Sequence, residues 1–319
     1  MRGVLILLMI AFHLVYFSSL YPTAKSIVYV FHMPAFLVIS GFLMNIGKTM
    51  LQFGRTLLFY FVPYCLFEAT YILGAAHFPI AEHINQLTPG IFFSHLLLHP
   101  LGPYWYLQAL VICGAVYYLV FRLVPLEKWL GRLPWSVFSQ SATVLWLRIA
   151  VLALLYAVIV LTTGTISATS AFYFLFGAVM RQMRFDFQYY FFPHWLSIIF
   201  FAVFVANPSY RNPLTLGGMG IVFLSMSGML YLFRAVPGKA AKYLAYIGRN
   251  TLLLLLFSPI FTLLCKALQN PLAFDTTGML FLILSLLICV AGSLLMGWLS
   301  DVLHLSPYIF GKKQALSRL

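Results

Sequence analysis

Apolar runs long enough to cross a bilayer recur along the whole of this chain, and no other feature limits its fold so strongly. A hydrocarbon core about 30 Å thick takes roughly 20 apolar residues of helix to span. Lipid offers the backbone no partners, so each run must satisfy its own hydrogen bonds. Of the 319 residues, 63% are hydrophobic and only 8% charged, too little polar surface to cover a soluble domain of this size. The chain therefore reads as an all-α integral membrane protein, a helix bundle forming a single domain over residues 1–319. An apolar window with loops placed at charge, Pro and Gly clusters predicts ten spans, at 3–21, 27–46, 56–74, 104–124, 144–163, 168–180, 193–206, 214–234, 250–268 and 277–300. Those at 168–180 and 193–206 are short for a bilayer.

The net charge of +13 follows topology. With the N-terminus in the cytoplasm, sixteen of the 19 basic residues fall on the inner side: Arg2, Lys48, Arg55, Arg122, Lys128, Arg132, Arg148, Arg181, Arg184, Arg234, Lys239, Lys242, Arg249, Lys312, Lys313 and Arg318. Three fall outside: Lys25, Arg211 and Lys266. That asymmetry is the positive-inside pattern of short loops, and it predicts both termini in the cytoplasm of a multi-pass inner-membrane protein. Because the charge is distributed by side and not gathered into a patch, no nucleic-acid partner is expected. A cleaved signal peptide over residues 1–20 is not expected either, since a single Arg precedes the apolar run. No period of 20 to 50 residues repeats.

The four cysteines, Cys65, Cys113, Cys265 and Cys289, lie in apolar stretches without CxxC spacing, so they read as small core residues. The longest outer loop, about 75–103, carries His77, His83, His95 and His99. His95 and His99 are placed to share a helical face, but no Cys or carboxylate cluster completes a ligand set, and no metal is expected. The "LGGMG" at 216–220 follows no strand; in an apolar helix it reads as a close-packing face.

Ionisable groups within the bilayer are costly and mark cavities or partners. Here they are His13, His32 and Glu68. Arg2 and His13, eleven residues apart, return to nearly one helix face about 16 Å apart along the axis. By helical rise, His32 and Glu68 come to similar depths below the outer surface. Such a line suits transfer of an activated acyl group from an internal donor to an external hydroxyl. A neutral His near mid-membrane serves as general base, a carboxylate such as Glu68 orients it, and an Arg at the inner mouth holds phosphates. A proton-coupled transporter or flippase for a lipid-linked saccharide is the rival reading of the same titratable groups.

Five stretches, in order, carry a resemblance. "RGVLILLMIAFH" (2–13), "FHMPAFLVISGFL" (31–43), "GRTLLFYFVPY" (54–64), "PYWYLQAL" (103–110) and "YIGRNTLLLLLFSPIF" (246–261) resemble the motifs of the acyltransferase 3 family of integral membrane acyltransferases, which modify cell-surface glycans. The resemblance implies His13 as the essential histidine, Arg2 as its motif partner, and the segment from His32 to Gly41 as a lining of the same cavity. It implies acetyl-CoA as donor and a glycan or lipid-linked saccharide as acceptor. The family usually has residues ahead of the motif Arg, so a shortened entry to the first helix is expected here. After the Gly-Arg-Asn-Thr run this chain has Leu255 and Ser258 where many members have an aromatic residue and a His, which raises the possibility of an inactive relative. Pro34 is expected to bend the second span, with Ser40 and Gly41 admitting a close neighbour. Arg55 and Arg249 are candidates for the donor's phosphates. Tyr104, Trp105 and Tyr106, with Ser40, are candidates for contact with a sugar. Arg148 is expected to snorkel.

Overall fold

The computed structural model describes residues 1–77, 84–125 and 141–317. Of the residues discussed above, His83, Lys128, Arg132 and Arg318 lie outside it. The described chain is helical: α1 Arg2–His13, α2 Val15–Leu20, α3 Pro22–Leu43, α4 Met50–His77, α5 Pro89–Leu97, α6 Trp105–Tyr118, α7 Ser141–Thr162, α8 Ala168–Gln182, α9 Trp195–Ala206, α10 Leu216–Phe233, α11 Gly238–Arg249, α12 Thr251–Leu264, α13 Met279–Val302 and α14 Ser306–Phe310. A π turn over Leu119–Leu123 continues α6. No strand occurs among the described residues.

Among the described residues, seven helices are long and apolar enough to cross a bilayer. A helix stands at each of the other three predicted spans but is shorter: α1 and α9 have 12 residues each and α8 has 15. At 1.5 Å per residue, 12 residues reach about 18 Å, short of a 30 Å core. The first predicted span is also not one helix. It breaks at Leu14, which is extended (φ −71°, ψ 101°) between α1 and α2. No Pro or Gly marks the break. Helices with an internal Pro run on without interruption, α3 through Pro34, α4 through Pro63 and α12 through Pro259.

The chain packs as two compact units, one of residues 1–36 and 188–319, the other of residues 37–187. In the first, α12 packs along α13, α9 along α10, and α1 against α11, α12 and α13. Small residues set these approaches. A Cβ on Gly3 would collide with the Leu244 carbonyl of α11, and one on Gly218, in the "LGGMG" face, with the Asn212 backbone. The segment after α14 is tied back to this unit: the Asp301 carboxylate accepts the backbone N–H groups of Ala315 (2.6 Å) and Leu316 (3.1 Å), and the Asn250 amide oxygen accepts that of Ser317 (2.8 Å). Gly248 stands beside Arg2. The start of α1 and the segment around Ser317 therefore lie at one end of the unit. Arg211 donates to the Ser26 hydroxyl at 3.2 Å, which brings the predicted outer residues Lys25 and Arg211 together.

In the second unit, α4 packs against α5 and α6, and α6 against α7 and α8. Gly41 of α3 and Gly177 of α8 approach reciprocally, one against the Phe174 carbonyl and the other against that of Val38. Neither position has room for a Cβ, so the expected close-packing role of Gly41 is met. Tyrosine hydroxyls reach carbonyls of neighbouring helices: Tyr64 donates to Leu96 and Tyr156 to Cys113, both at 2.7 Å. Such bonds matter where water is excluded.

Candidate active site

His13 is the last residue of α1, immediately ahead of the Leu14 break. Its Nδ1 lies 2.7 Å from the Met9 carbonyl oxygen, one turn back. A carbonyl only accepts, so Nδ1 carries the proton and Nε2 keeps the lone pair. His13 is an exposed residue, whereas Ala11, Phe12 and Leu14 around it are buried. The arrangement is that of a neutral base: one nitrogen tethered, the other holding its lone pair.

The break creates a second feature. An extended residue at 14 interrupts the ladder that would have consumed the Phe12 carbonyl, and the Tyr29 hydroxyl of α3 donates to that oxygen at 3.2 Å. The Tyr29 ring stands between two imidazoles, with centroids 6.0 Å from His13 and 5.1 Å from His32. The Lys25 Nζ lies 5.5 Å from the same ring, a cation–π contact. Lys25, Tyr29 and His32 share one face of α3 at i, i+4 and i+7. Tyr29 escaped the reading of the sequence, because a tyrosine among 19 carries no mark of its own. Its spacing to Lys25 and His32 was the available signal.

His32 repeats the tether of His13, with Nδ1 2.8 Å from the Val28 carbonyl, but its ring is buried at 3% exposure. Arg2 is exposed at the opposite end of α1 from His13, and Arg249 is exposed at the end of α11. These five residues, Arg2, His13, Tyr29, His32 and Arg249, all belong to the first unit.

The other candidates belong to the second unit. Glu68 is fully buried, and its Oε1 accepts the backbone N–H groups of Leu101 (2.7 Å) and Gly102 (3.0 Å). It shapes the turn that leads into α6. Tyr104 is buried against Phe67 and Tyr71, and the Tyr106 hydroxyl is 2.6 Å from that of Ser40. Trp105 is half-buried and Arg55 exposed. In the outer loop, the Nδ1 of His95 lies 2.9 Å from the His99 carbonyl, and no group of three or more metal-binding side chains occurs among the described residues. Asn250 of the Gly-Arg-Asn-Thr run holds Ser317 and also donates to the Tyr246 carbonyl at 3.0 Å. Leu255 and Ser258 are both buried in α12.

No curated protein and no solved structure matches the chain. A family model described as an acyltransferase domain matches residues 1–298 of the 319. That span takes in α1 with its tethered histidine, the face of α3 opposite it, and the Gly-Arg-Asn-Thr run, and by it this chain belongs to the acyltransferase 3 family, a family of membrane acyltransferases.

Proposed function

We propose that this chain is an O-acyltransferase that takes an acyl group, an acetyl in the simplest case, from cytoplasmic acyl-CoA and delivers it to a hydroxyl of a cell-surface or lipid-linked glycan. The observation that carries the reading is His13, an exposed residue whose imidazole is tethered through Nδ1 and so keeps its lone pair on Nε2. In the transfer, Nε2 takes the proton of the acceptor hydroxyl as its oxygen attacks the thioester carbonyl. The tetrahedral adduct then expels the thiolate, which recovers the proton from the imidazolium. Ester and free thiol are the products.

The remaining candidates take supporting parts. Tyr29 fixes the α1 break and faces both rings, so it positions His13 together with His32 behind it. Arg2, Arg55 and Arg249 are assigned to the donor's phosphates. Ser40, Tyr104, Trp105 and Tyr106 are assigned to the acceptor side, and Glu68 to the backbone turn just ahead of them. The positive-inside count supports both termini in the cytoplasm of an inner membrane, with membrane lipid as surroundings. The test is protein reconstituted in vesicles, given radiolabelled acetyl-CoA at the cytoplasmic face and a glycan mixture at the other. Wild type is expected to label the glycan and His13→Ala is not. Passage of unmodified glycan without label would replace this reading with the transporter one.

A further inference from the structure

The second unit contains an open cavity of about 770 Å³ that none of the roles above uses. Four arginines line it, brought by three stretches of chain: Arg122 from the π turn after α6, Arg148 from α7, and Arg181 and Arg184 from the last turn of α8 and the turn just beyond it. Asp186 is the only carboxylate among the described lining residues.

Basic residues at helix ends are the ordinary outcome of topology, and one of the four is accounted for structurally. The Arg148 guanidinium donates to the Phe121 carbonyl and reaches those of Val120 and Val124, so it closes the carbonyls of the π turn. The other three are exposed. The Arg181 guanidinium lies 5.6 Å from the centroid of Phe42, a ring that also lines the cavity, and this contact limits its range of positions. Arg184 has φ +62°, a left-handed conformation that an L-residue adopts at a cost and for which glycine is the usual choice after a helix. A topological charge needs neither that backbone nor convergence on one cavity. The π turn that carries Arg122 is itself a form found often at functional sites.

We infer that this arginine-lined cavity is a binding site for a polyphosphate anion. Guanidinium forks match phosphate oxygens bidentately, and the volume admits a nucleotide diphosphate. A phospholipid headgroup presents the same chemistry. Identifying the anion as the donor's nucleotide rests on the acyl-CoA reading above and moves the donor's phosphates from Arg2, Arg55 and Arg249 to this cavity, whereas the site itself does not depend on that reading.

The experiment is calorimetric titration of the full chain in nanodiscs of phosphatidylcholine, with inorganic pyrophosphate and ADP as probes. One site is expected for each, weakening as salt rises. Arg181→Gln and Arg122→Gln are each expected to lower the affinity about tenfold, the scale of one charge-assisted contact. Lys266→Gln, a charge removed elsewhere, is expected to leave it unaltered. Arg184→Gly separates binding from folding: it is expected to maintain or raise the midpoint of thermal unfolding while weakening both probes. Nanodiscs with phosphatidylglycerol distinguish the sources. Loss of probe binding there, with phosphatidylglycerol retained by wild type and released from the arginine variants in native mass spectrometry, makes the natural anion a headgroup. Unimpeded probe binding makes it a nucleotide. Absence of probe binding in neutral discs, or binding indifferent to Arg122, Arg181 and Arg184, overturns the site. Transfer activity reports separately: if wild type binds pyrophosphate but transfers no acyl group, the acyl-CoA reading fails and the cavity stands.

Discussion

His13 and His32 hold their rings by the same bond and expose them to opposite degrees. In each, Nδ1 is committed to the carbonyl one turn back and Nε2 is left as the acceptor. One sits at the last turn of a helix that breaks and is uncovered; the other sits inside an unbroken helix and is buried. Since the tether is shared, it cannot be what separates an exposed histidine from one that stays in the packing. The break separates them. An extended Leu14 ends the helical surface above His13, whereas Val28, Phe31 and Ala35 of the continuous α3 are buried along with His32.

The comparison is broken most directly at the two rings. His13→Ala is expected to lower acyl transfer by a factor of about 10² to 10⁴, the range of a lost general base. His32→Leu is expected to lose less than about tenfold, with the defect in positioning, because the ring has no opening to substrate. Initial rates against acyl-CoA concentration decide it, and equal losses at the two positions would remove the distinction drawn between them.

Next in size is the seat of α1. Gly3→Val places a side chain where the Leu244 carbonyl already stands, and a loss of about 1 to 3 kcal/mol is expected, read as a lower unfolding midpoint in detergent together with lost transfer. Tyr29→Phe is milder. It retains the ring between the imidazoles and removes only the bond to the Phe12 carbonyl, at about 1 kcal/mol. If that bond positions His13, kcat falls up to about tenfold with KM unmoved; a change in unfolding midpoint alone would reduce Tyr29 to a structural part. Smallest is Gly54→Ala in α4, where nothing lies within 4 Å of the added Cβ. A gain of about 0.5 to 1 kcal/mol is expected from helix propensity, with activity unaltered. Set beside Gly3→Val, it tests whether close approach, and not glycine as such, governs the seat of the active helix.

Much of this was legible before any coordinates. Arg2 and His13 do occupy the two ends of one helix, Gly41 does sit where a neighbouring backbone passes, and the Gly residues of 216–220 do form a packing face. These follow from helical period and side-chain size, which are local. The break in the first span was not anticipated. Pro34 announces itself, yet a proline removes one bond and leaves the helix intact when neighbours support it. Leu14 announces nothing, because it departs from helix only through what the surrounding chain offers the freed carbonyls, including the Tyr29 hydroxyl 17 residues on. The bond from Glu68 to the backbone of Leu101 and Gly102 spans more than 30 residues and was equally invisible.

By itself, the order of residues determined that this chain is a helical membrane protein, which helices carry ionisable groups, and which acyltransferase motifs they spell. Those properties are sums over neighbouring residues, since transfer into lipid is scored side chain by side chain along a helix. Only the tertiary structure decided that His13 is exposed while His32 is buried, that Tyr29 stands between their rings, and that arginines from three stretches of chain line one cavity. Each of these depends on which distant segment supplies a partner or a wall, and in a medium without water that choice is made by packing and by the obligation of every backbone carbonyl to find a donor.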